Sequence, residues 1–476
     1  MVMGQRPNVV FIFADEMRLQ DAGYAGNRDV HSPNLDAFAR ESTNVTHAVS
    51  GCSVCCPYRA SLMTGQYPIN HGVYINDVEL DPSCDSIARA FGRGGYQTAY
   101  IGKWHIYGSP NGNYERRDAY VPRASQLGFD YWKAFECNHD YNDSYYYFND
   151  DPTRHAWEGY DAIAQSQDAA AYIQAHAGDD DPFMMMLSWG PPHFPLHTAP
   201  QTYQDRFADL DVTLRPNVPE AHHEEAKAEL RGNYAHIAAL DDCLATVLDA
   251  VKASGEADNT IVVFASDHGD MFFSHGLNRK SLPWDESIRV PFLVRWPAGL
   301  KGGGRELALP LDAPDIMPTL LGLCDLPVPD TVDGKDFSDV LQGKTALTGD
   351  EAALLSFPAA FTNVRQYGFK AYRGLRTLRH TYVRNVDGPW LLFDNQADPY
   401  QMKNLINREE VASVQTELDG EVQRRLNVLG DEFHDSAYYI ERDGLGHYQE
   451  ASCKVGEPWQ DPWINMNENT KEANNA

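Results

Sequence analysis

The segment Asn8-Val9-Val10-Phe11-Ile12-Phe13-Ala14 constrains the fold of this chain most strongly. It is a continuous apolar run, rich in β-branched and aromatic residues, without alternating polar positions. Such a run fits a strand buried on both faces, as in a parallel sheet covered by helices on each side. Runs at Gln97–Ile101, Pro182–Ser188, Thr260–Ala265 and Val290–Trp296 predict further buried strands. Helices are expected between them. Ser32-Pro33-Asn34-Leu35-Asp36 opens one, with Ser32 as candidate cap and Pro33 in the first turn. The clearest spans about 224–253, with Ile237, Leu240, Leu244, Val247, Leu248 and Val251 on one face. Strands alternating with helices indicate an α/β fold built on a large, mostly parallel sheet.

The texture changes after about residue 365. Phe369–Leu375, His380–Arg384 and Trp390–Phe393 read as short strands, followed by a polar helix near Glu409–Val428. This predicts a catalytic α/β domain over 1–364 and a smaller subdomain over 365–476, with a small antiparallel sheet, a helix and a polar tail from about Asn467. The 476 residues, 43% of them hydrophobic, suffice for two unequal cores.

The chain carries 39 basic and 68 acidic residues, a net charge of -29. An acidic surface repels phosphate backbones and anionic membranes, which argues against nucleic-acid binding. No apolar run is long enough to span a bilayer. The first residues lack the apolar stretch of a secretory leader, so the chain as written reads as cytoplasmic. A periplasmic or secreted protein whose leader had been removed would read the same way. Eight cysteines are too few for a disulfide scaffold of this size, but Cys52, Cys55 and Cys56 cluster.

Chemistry-bearing residues follow the expected strands directly. Asp15-Glu16 follow the first, Gly102-Lys103-Trp104-His105 the second, Pro191-Pro192-His193 the third and Asp267-His268-Gly269-Asp270 the fourth. In open α/β sheets the ligand site lies at the carboxyl ends of the strands. One sheet would therefore pool these segments. Asp15, Glu16, Asp267 and His268 form an oxygen-rich set that needs a cation, and a hard one such as calcium or magnesium suits it. Lys103, His105, His193 and Lys280 suit an anionic substrate and proton transfer to a leaving group.

The cysteine cluster alone leaves several readings open. Cys52-x-x-Cys55 is half a zinc site without a second half, or a redox pair outside the thioredoxin pattern. A third reading is a thiol nucleophile, because Pro57 and Tyr58–Met63 place Cys55 at a helix N-terminus, which favours a thiolate and an anion.

Cys55-Cys56-Pro57-Tyr58-Arg59, continued by Ala60-Ser61-Leu62-Met63-Thr64-Gly65, resembles the signature of the formylglycine-dependent sulfatases of the alkaline phosphatase superfamily. The other segments fall in that family's order, through Lys280 to Leu392-Phe393-Asp394, Asp398-Pro399 and Asn404-Leu405. The resemblance implies that a separate maturation enzyme oxidises Cys55 to formylglycine, whose hydrate attacks the sulfur of a sulfate ester. By position, Asp15, Glu16, Asp267, His268 and the modified Cys55 hold the metal, usually calcium, with magnesium or manganese as alternatives. Arg59 and Lys103 stabilise the hydrate, His105 assists sulfate expulsion, and His193 and Lys280 contact the sulfate and the leaving oxygen. Two positions depart from the pattern: Glu16 stands where Asp is more frequent, and His268 where many relatives carry Asn. Phosphonate monoester and phosphodiester hydrolases resemble the chain at His268, which makes them the alternative activity. A non-catalytic binder of sulfated glycans would need a damaged motif, and none is seen. The aromatic stretch from Glu136 to Phe148 suits a sugar or polysaccharide substrate, with His139 and Asp140 as candidate contacts, or else forms a packed tyrosine-rich loop.

Overall fold

The computed structural model describes residues 6–448 except 113, 301 and 302. The polar tail from Asn467 and Cys453 lie outside the described residues. Ten strands form one sheet: β1 (Asn8–Asp15), β2 (Thr43–Val45), β3 (Gln97–Lys103), β4 (Tyr131–Phe135), β5 (Tyr145–Phe148), β6 (Asp151–Ala156), β7 (Phe183–Pro192), β8 (Thr260–Ser266), β9 (Phe292–Arg295) and β10 (Arg305–Leu307). Their order is β10-β2-β9-β8-β1-β7-β3-β4-β5-β6. The central strands β8, β1, β7, β3 and β4 are parallel, as the uninterrupted apolar runs require. β9, read from sequence as one more buried strand, runs antiparallel to β8.

β1 shows why its run is continuous. Val9, Phe11 and Phe13 enter the core that contains the helix Cys55–Thr64. Val10, Ile12 and Ala14 enter the opposite core, under the helices Asp161–Ala175 and His223–Ala253. Alternate residues point to opposite faces, and both faces are covered. Each fully buried large side chain contributes about 1.5–3 kcal/mol. On the long helix, Leu230, Ile237, Leu240, Leu244, Val247 and Val251 are buried, close to the expected stripe.

The helix Pro33–Glu41 has Pro33 in its first turn, but Ser32 does not cap it. The Ser32 hydroxyl instead accepts from the Gly23 N–H and faces Asp36. The Asp241 carboxylate takes the N–H groups of Asn34 (3.1 Å) and Leu35 (2.7 Å), so the cap comes from 207 and 206 residues away.

A second sheet is antiparallel, in the order β11 (Ala352–Phe357), β12 (Tyr372–Thr377), β13 (His380–Asn385), β14 (Gly388–Asp394). The helix Ala412–Leu429 lays Leu418, Val422 and Leu426 on Leu354, Leu375, Tyr382 and Leu392. The other face, with Phe357, Tyr372 and Val383, joins the core beside the large sheet. A division at 364/365 would separate β11 from the three strands it belongs with.

Candidate active site

The parallel order β8-β1-β7-β3 brings four strand ends side by side. Ala14 is level with Ser266 and Gly102 with Ser188. Asp15 ends β1, Lys103 ends β3, and Asp267-His268 and His193 follow β8 and β7 immediately. Gly102, at φ 102°, allows this closeness, since a Cβ there would collide with the Ser188 carbonyl.

Cys55 is the first residue of the helix Cys55–Thr64, whose N-terminus faces these strand ends. Its Sγ lies 3.2 Å from His268 Nε2 and 3.6 Å from Asp15 Oδ1. His268 donates Nδ1–H to the Gly269 carbonyl at 3.0 Å, which leaves the Nε2 lone pair directed into the site. Asp15, Cys55, Asp267 and His268 each offer a ligand atom, all within 4.8 Å of one another and all buried. Two carboxylates and an imidazole lone pair converging in a buried place fit a divalent cation, and the oxygen donors favour a hard one. Burial, and then Asp15, pushes the Cys55 thiol up to about 11, which outweighs the helix N-terminus expected to favour a thiolate. Cys56 is structural: its Sγ accepts the Asp77 N–H. The described cysteines form no disulfide, and the close ligand group that includes Cys55 is completed by Asp15, Asp267 and His268, not by a second cysteine.

Arg59 lies one helical turn from Cys55. It donates to the Lys103 carbonyl and Ser188 Oγ, both at 2.8 Å, and to Asp15 (3.1 Å) and Asp267 (3.2 Å). Lys103 Nζ lies 2.6 Å from Asp15 Oδ2. Burial alone would raise the Asp15 carboxyl, but Lys103, His193 and Arg59 hold it well below the usual range.

Glu16, at φ 70°, gives its N–H to Asp267, and its carboxylate joins Asp15 on the side of His193 and Lys280. Oε2 meets His193 Nε2 at 3.1 Å and Lys280 Nζ at 3.2 Å. With Asp15 and His193 it forms a second group of close ligand atoms. His193 donates Nδ1–H to the Phe194 carbonyl at 2.8 Å, which turns Nε2 towards Glu16. Burial raises the Glu16 carboxyl well above its ordinary range and, with Lys280, depresses His193 well below its own.

His139 joins the site by stacking on His193, ring centres 4.5 Å apart and 7° from parallel. Asp140 follows it, half-buried, with its N–H given to Asn138 Oδ1. Tyr145 and Tyr147, read as suited to a sugar or else as part of a packed loop, form β5 and pack with Phe135. His105 Nε2 is 3.6 Å from Asp77 Oδ1, and Arg117 grips Asp77 with Nε (3.0 Å) and Nη2 (2.9 Å). Burial depresses His105 to about 3, against the pull of Asp77, so its ring is neutral near pH 7. Asp77 and Arg117 escaped the sequence reading, because they sit on loops with no signature around them.

Residues 7–326 match the family model described as sulfatase, two thirds of the chain. The chain belongs to the sulfatase family. Residues 274–427 match a second model, described as the C-terminal part of N-sulphoglucosamine sulphohydrolase. The enzyme is 42% identical to an ulvan-active sulfatase of Formosa agariphila, over 92% of this chain and 84% of that one. It is 32% identical to an endo-4-O-sulfatase of Bacteroides thetaiotaomicron, over 87% and 91%. A solved sulfatase structure from Bacteroides fragilis, YidJ, superposes with a TM-score of 0.82 at 29% identity, covering 92% of this chain and 99% of that one.

Proposed function

We propose that this sulfatase cleaves sulfate esters on the sugars of a polysaccharide, with calcium as its metal and the hydrate of a formylglycine made from Cys55 as its nucleophile. The observation that carries the reading is the place of Cys55, first on its helix and within the buried set of Asp15, Asp267 and His268. The similarity to an ulvan-active sulfatase and an endo-4-O-sulfatase supports a polysaccharide substrate.

A separate maturation enzyme converts Cys55 to the aldehyde, which hydrates. Asp15, Asp267, His268 and an oxygen of residue 55 would hold the cation, which when bound would neutralise charge on the sulfate and on the hydrate. Arg59 and Lys103 fix the hydrate and keep Asp15 ionised. One hydroxyl of residue 55 attacks sulfur as its proton passes to the ionised Asp15 carboxylate, whose Oδ1 lies 3.6 Å from the Cys55 Sγ, and the bond from sulfur to the sugar oxygen breaks. A proton of the His193–Glu16 pair, with Lys280 beside it, goes to that leaving oxygen. His105, neutral, then takes the proton of the second hydroxyl. The carbon–oxygen bond to sulfate breaks as the aldehyde reforms. Glu16 thus links the ligand set to the leaving-group pair, while His139 and Asp140 border the bound sugar.

The test uses protein produced together with a maturation enzyme. The peptide carrying residue 55 is expected to show the aldehyde mass, and sulfate should be released from ulvan or another sulfated polysaccharide. Chelation should abolish release and calcium restore it. Cys55→Ala should lower kcat by roughly 10⁴-fold or more. Unimpaired turnover by Cys55→Ala would sink the mechanism. A higher kcat/KM for a phosphonate monoester or phosphodiester than for an aryl sulfate would replace the activity.

A further inference from the structure

Phe194 forms a wall between the catalytic groups and a neighbouring cleft. On one side its ring stacks on His193 (centres 4.1 Å apart, 29°) and lies 5.6 Å from Lys280 Nζ. On the other it lines a cleft of about 670 Å³, where the Arg279 guanidinium covers the ring at 4.5 Å. A cleft of that size matches ligand sites in general. Its lining includes Phe194 and Arg279, the chain neighbours of His193 and Lys280, which face the leaving oxygen in the mechanism above. The metal-binding end is closed, since Asp15, Asp267 and His268 have no exposed surface. A sugar chain attached through the leaving oxygen therefore has its continuation on the Phe194 side.

The cleft is built for a polar, partly anionic chain. Leu196, Ala208 and Ala228 give it apolar surface, and His197, Gln201 and Arg231 give it polar groups. Its charges are unevenly engaged. Glu229 is occupied by both terminal nitrogens of Arg279, at 3.1 and 3.2 Å. Asp205 accepts from Gln201 at 2.7 Å. Arg231 donates Nε to the Leu210 carbonyl at 2.8 Å and makes no ion pair among the described residues. The cleft is also closely packed beside Phe194. The 194–197 loop is pressed on the long helix at Gly232, where a Cβ would lie 2.6 Å from the Leu196 carbonyl oxygen.

We propose that this cleft is a subsite for the sugar residues next to the cleaved one, and that Arg231, helped by His197, binds an anionic group that the flanking sugar carries. The proposal rests on the polysaccharide reading above. The shared chemistry is an oxyanion on a sugar, either a second sulfate or a uronate carboxylate. A guanidinium suits both, through paired N–H donors.

The test compares matured, calcium-loaded wild type with His197→Ala, Arg231→Ala and Ala228→Trp. The last fills the cleft without changing charge, and His197 is exposed, so neither should disturb folding. Probes are p-nitrophenyl sulfate and oligosaccharides of ulvan, chondroitin sulfate and carrageenan, intact and carboxyl-reduced. The expected result is a fall of about 10-fold in the ratio of kcat/KM for the best oligosaccharide to that for the aryl sulfate, in Arg231→Ala and Ala228→Trp. If carboxyl reduction of the oligosaccharide erases the wild-type advantage over Arg231→Ala, the anion is a carboxylate; if the advantage persists, it is a sulfate. An unchanged ratio in all three variants, with wild type active on an oligosaccharide, would overturn the subsite alone. No turnover of any oligosaccharide by wild type would overturn the polysaccharide reading and the subsite with it.

Discussion

His105 shows how a single residue depends on neighbours the sequence does not reveal. Burial keeps its ring neutral, and the nearby carboxylate of Asp77 is held in place by Arg117. Asp77→Asn keeps the shape and one acceptor but removes the charge that steadies both His105 and Arg117. The expected outcome is a kcat lower by roughly 10–100-fold with KM changed much less. Melting temperature should also fall, because Arg117 loses its buried counter-charge. Steady-state kinetics with the aryl sulfate decide it: lowered stability with unchanged kcat would make Asp77 purely structural. The clustering of Asp15, Lys103, His193 and Asp267 was legible because each follows an apolar run by one to five positions. Asp77 and Arg117 were not, since nothing local distinguishes a loop Asp that supports a histidine from one that caps a turn. Glu16 shows the same limit: its position was legible, but the direction of its carboxylate was set by Lys280 and His193, far away in the chain.

At the scale of elements, burial decided what could be read. β1, β3, β7 and β8 are covered on both faces and announce themselves as apolar runs. β6 reads Asp-Pro-Thr-Arg-His-Ala, mostly exposed at the sheet edge, and only backbone pairing makes it a strand. The helix Ala313–Leu323 adds an electrostatic feature. Asp312 and Asp315 form a reciprocal capping box at its start, and Asp312 also takes the Gly51 N–H at 2.8 Å, four residues before Cys55. Burial, reinforced by Asp315, pushes the Asp312 carboxyl up to about 8. Above the ordinary carboxylate range and below about pH 8, the folded protein keeps a proton that the unfolded chain has released. Folding stability is then fully present below the unfolded value and is lost as pH rises through about 8. Thermal melting from pH 5 to 9 should show that decline, and Asp312→Asn should make it shallower, by up to about 1.4 kcal/mol per pH unit. Glu136, also raised to about 8 by burial, keeps the slope from vanishing. Parallel pH profiles in the two proteins would remove Asp312 from the explanation.

The whole molecule combines a net charge of -29 with a site for anions. Composition alone made a local cationic island necessary, and the structure shows how small its reach is. Lys103 is matched by Asp15, Lys280 by Glu16, and Arg59 by Asp15 and Asp267. Such pairs act at contact distance, and their fields largely cancel further out. At ionic strength of about 0.01 M the screening length is about 30 Å, so an approaching polyanion meets the charge of the entire body before it meets the site. At about 0.15 M that length shrinks to about 8 Å, and the repulsion is mostly removed. The kcat/KM for a sulfated polysaccharide should therefore rise with added salt, by roughly threefold or more, opposite to the usual fall for electrostatically steered enzymes. The singly charged p-nitrophenyl sulfate should respond much less. Rates measured for both substrates across a sodium chloride series, at fixed calcium, separate the cases. A polysaccharide rate that falls with salt would mean that Arg231, and the catalytic cations despite their carboxylate partners, steer the substrate, and that the acidic surface lies on faces the polysaccharide never approaches.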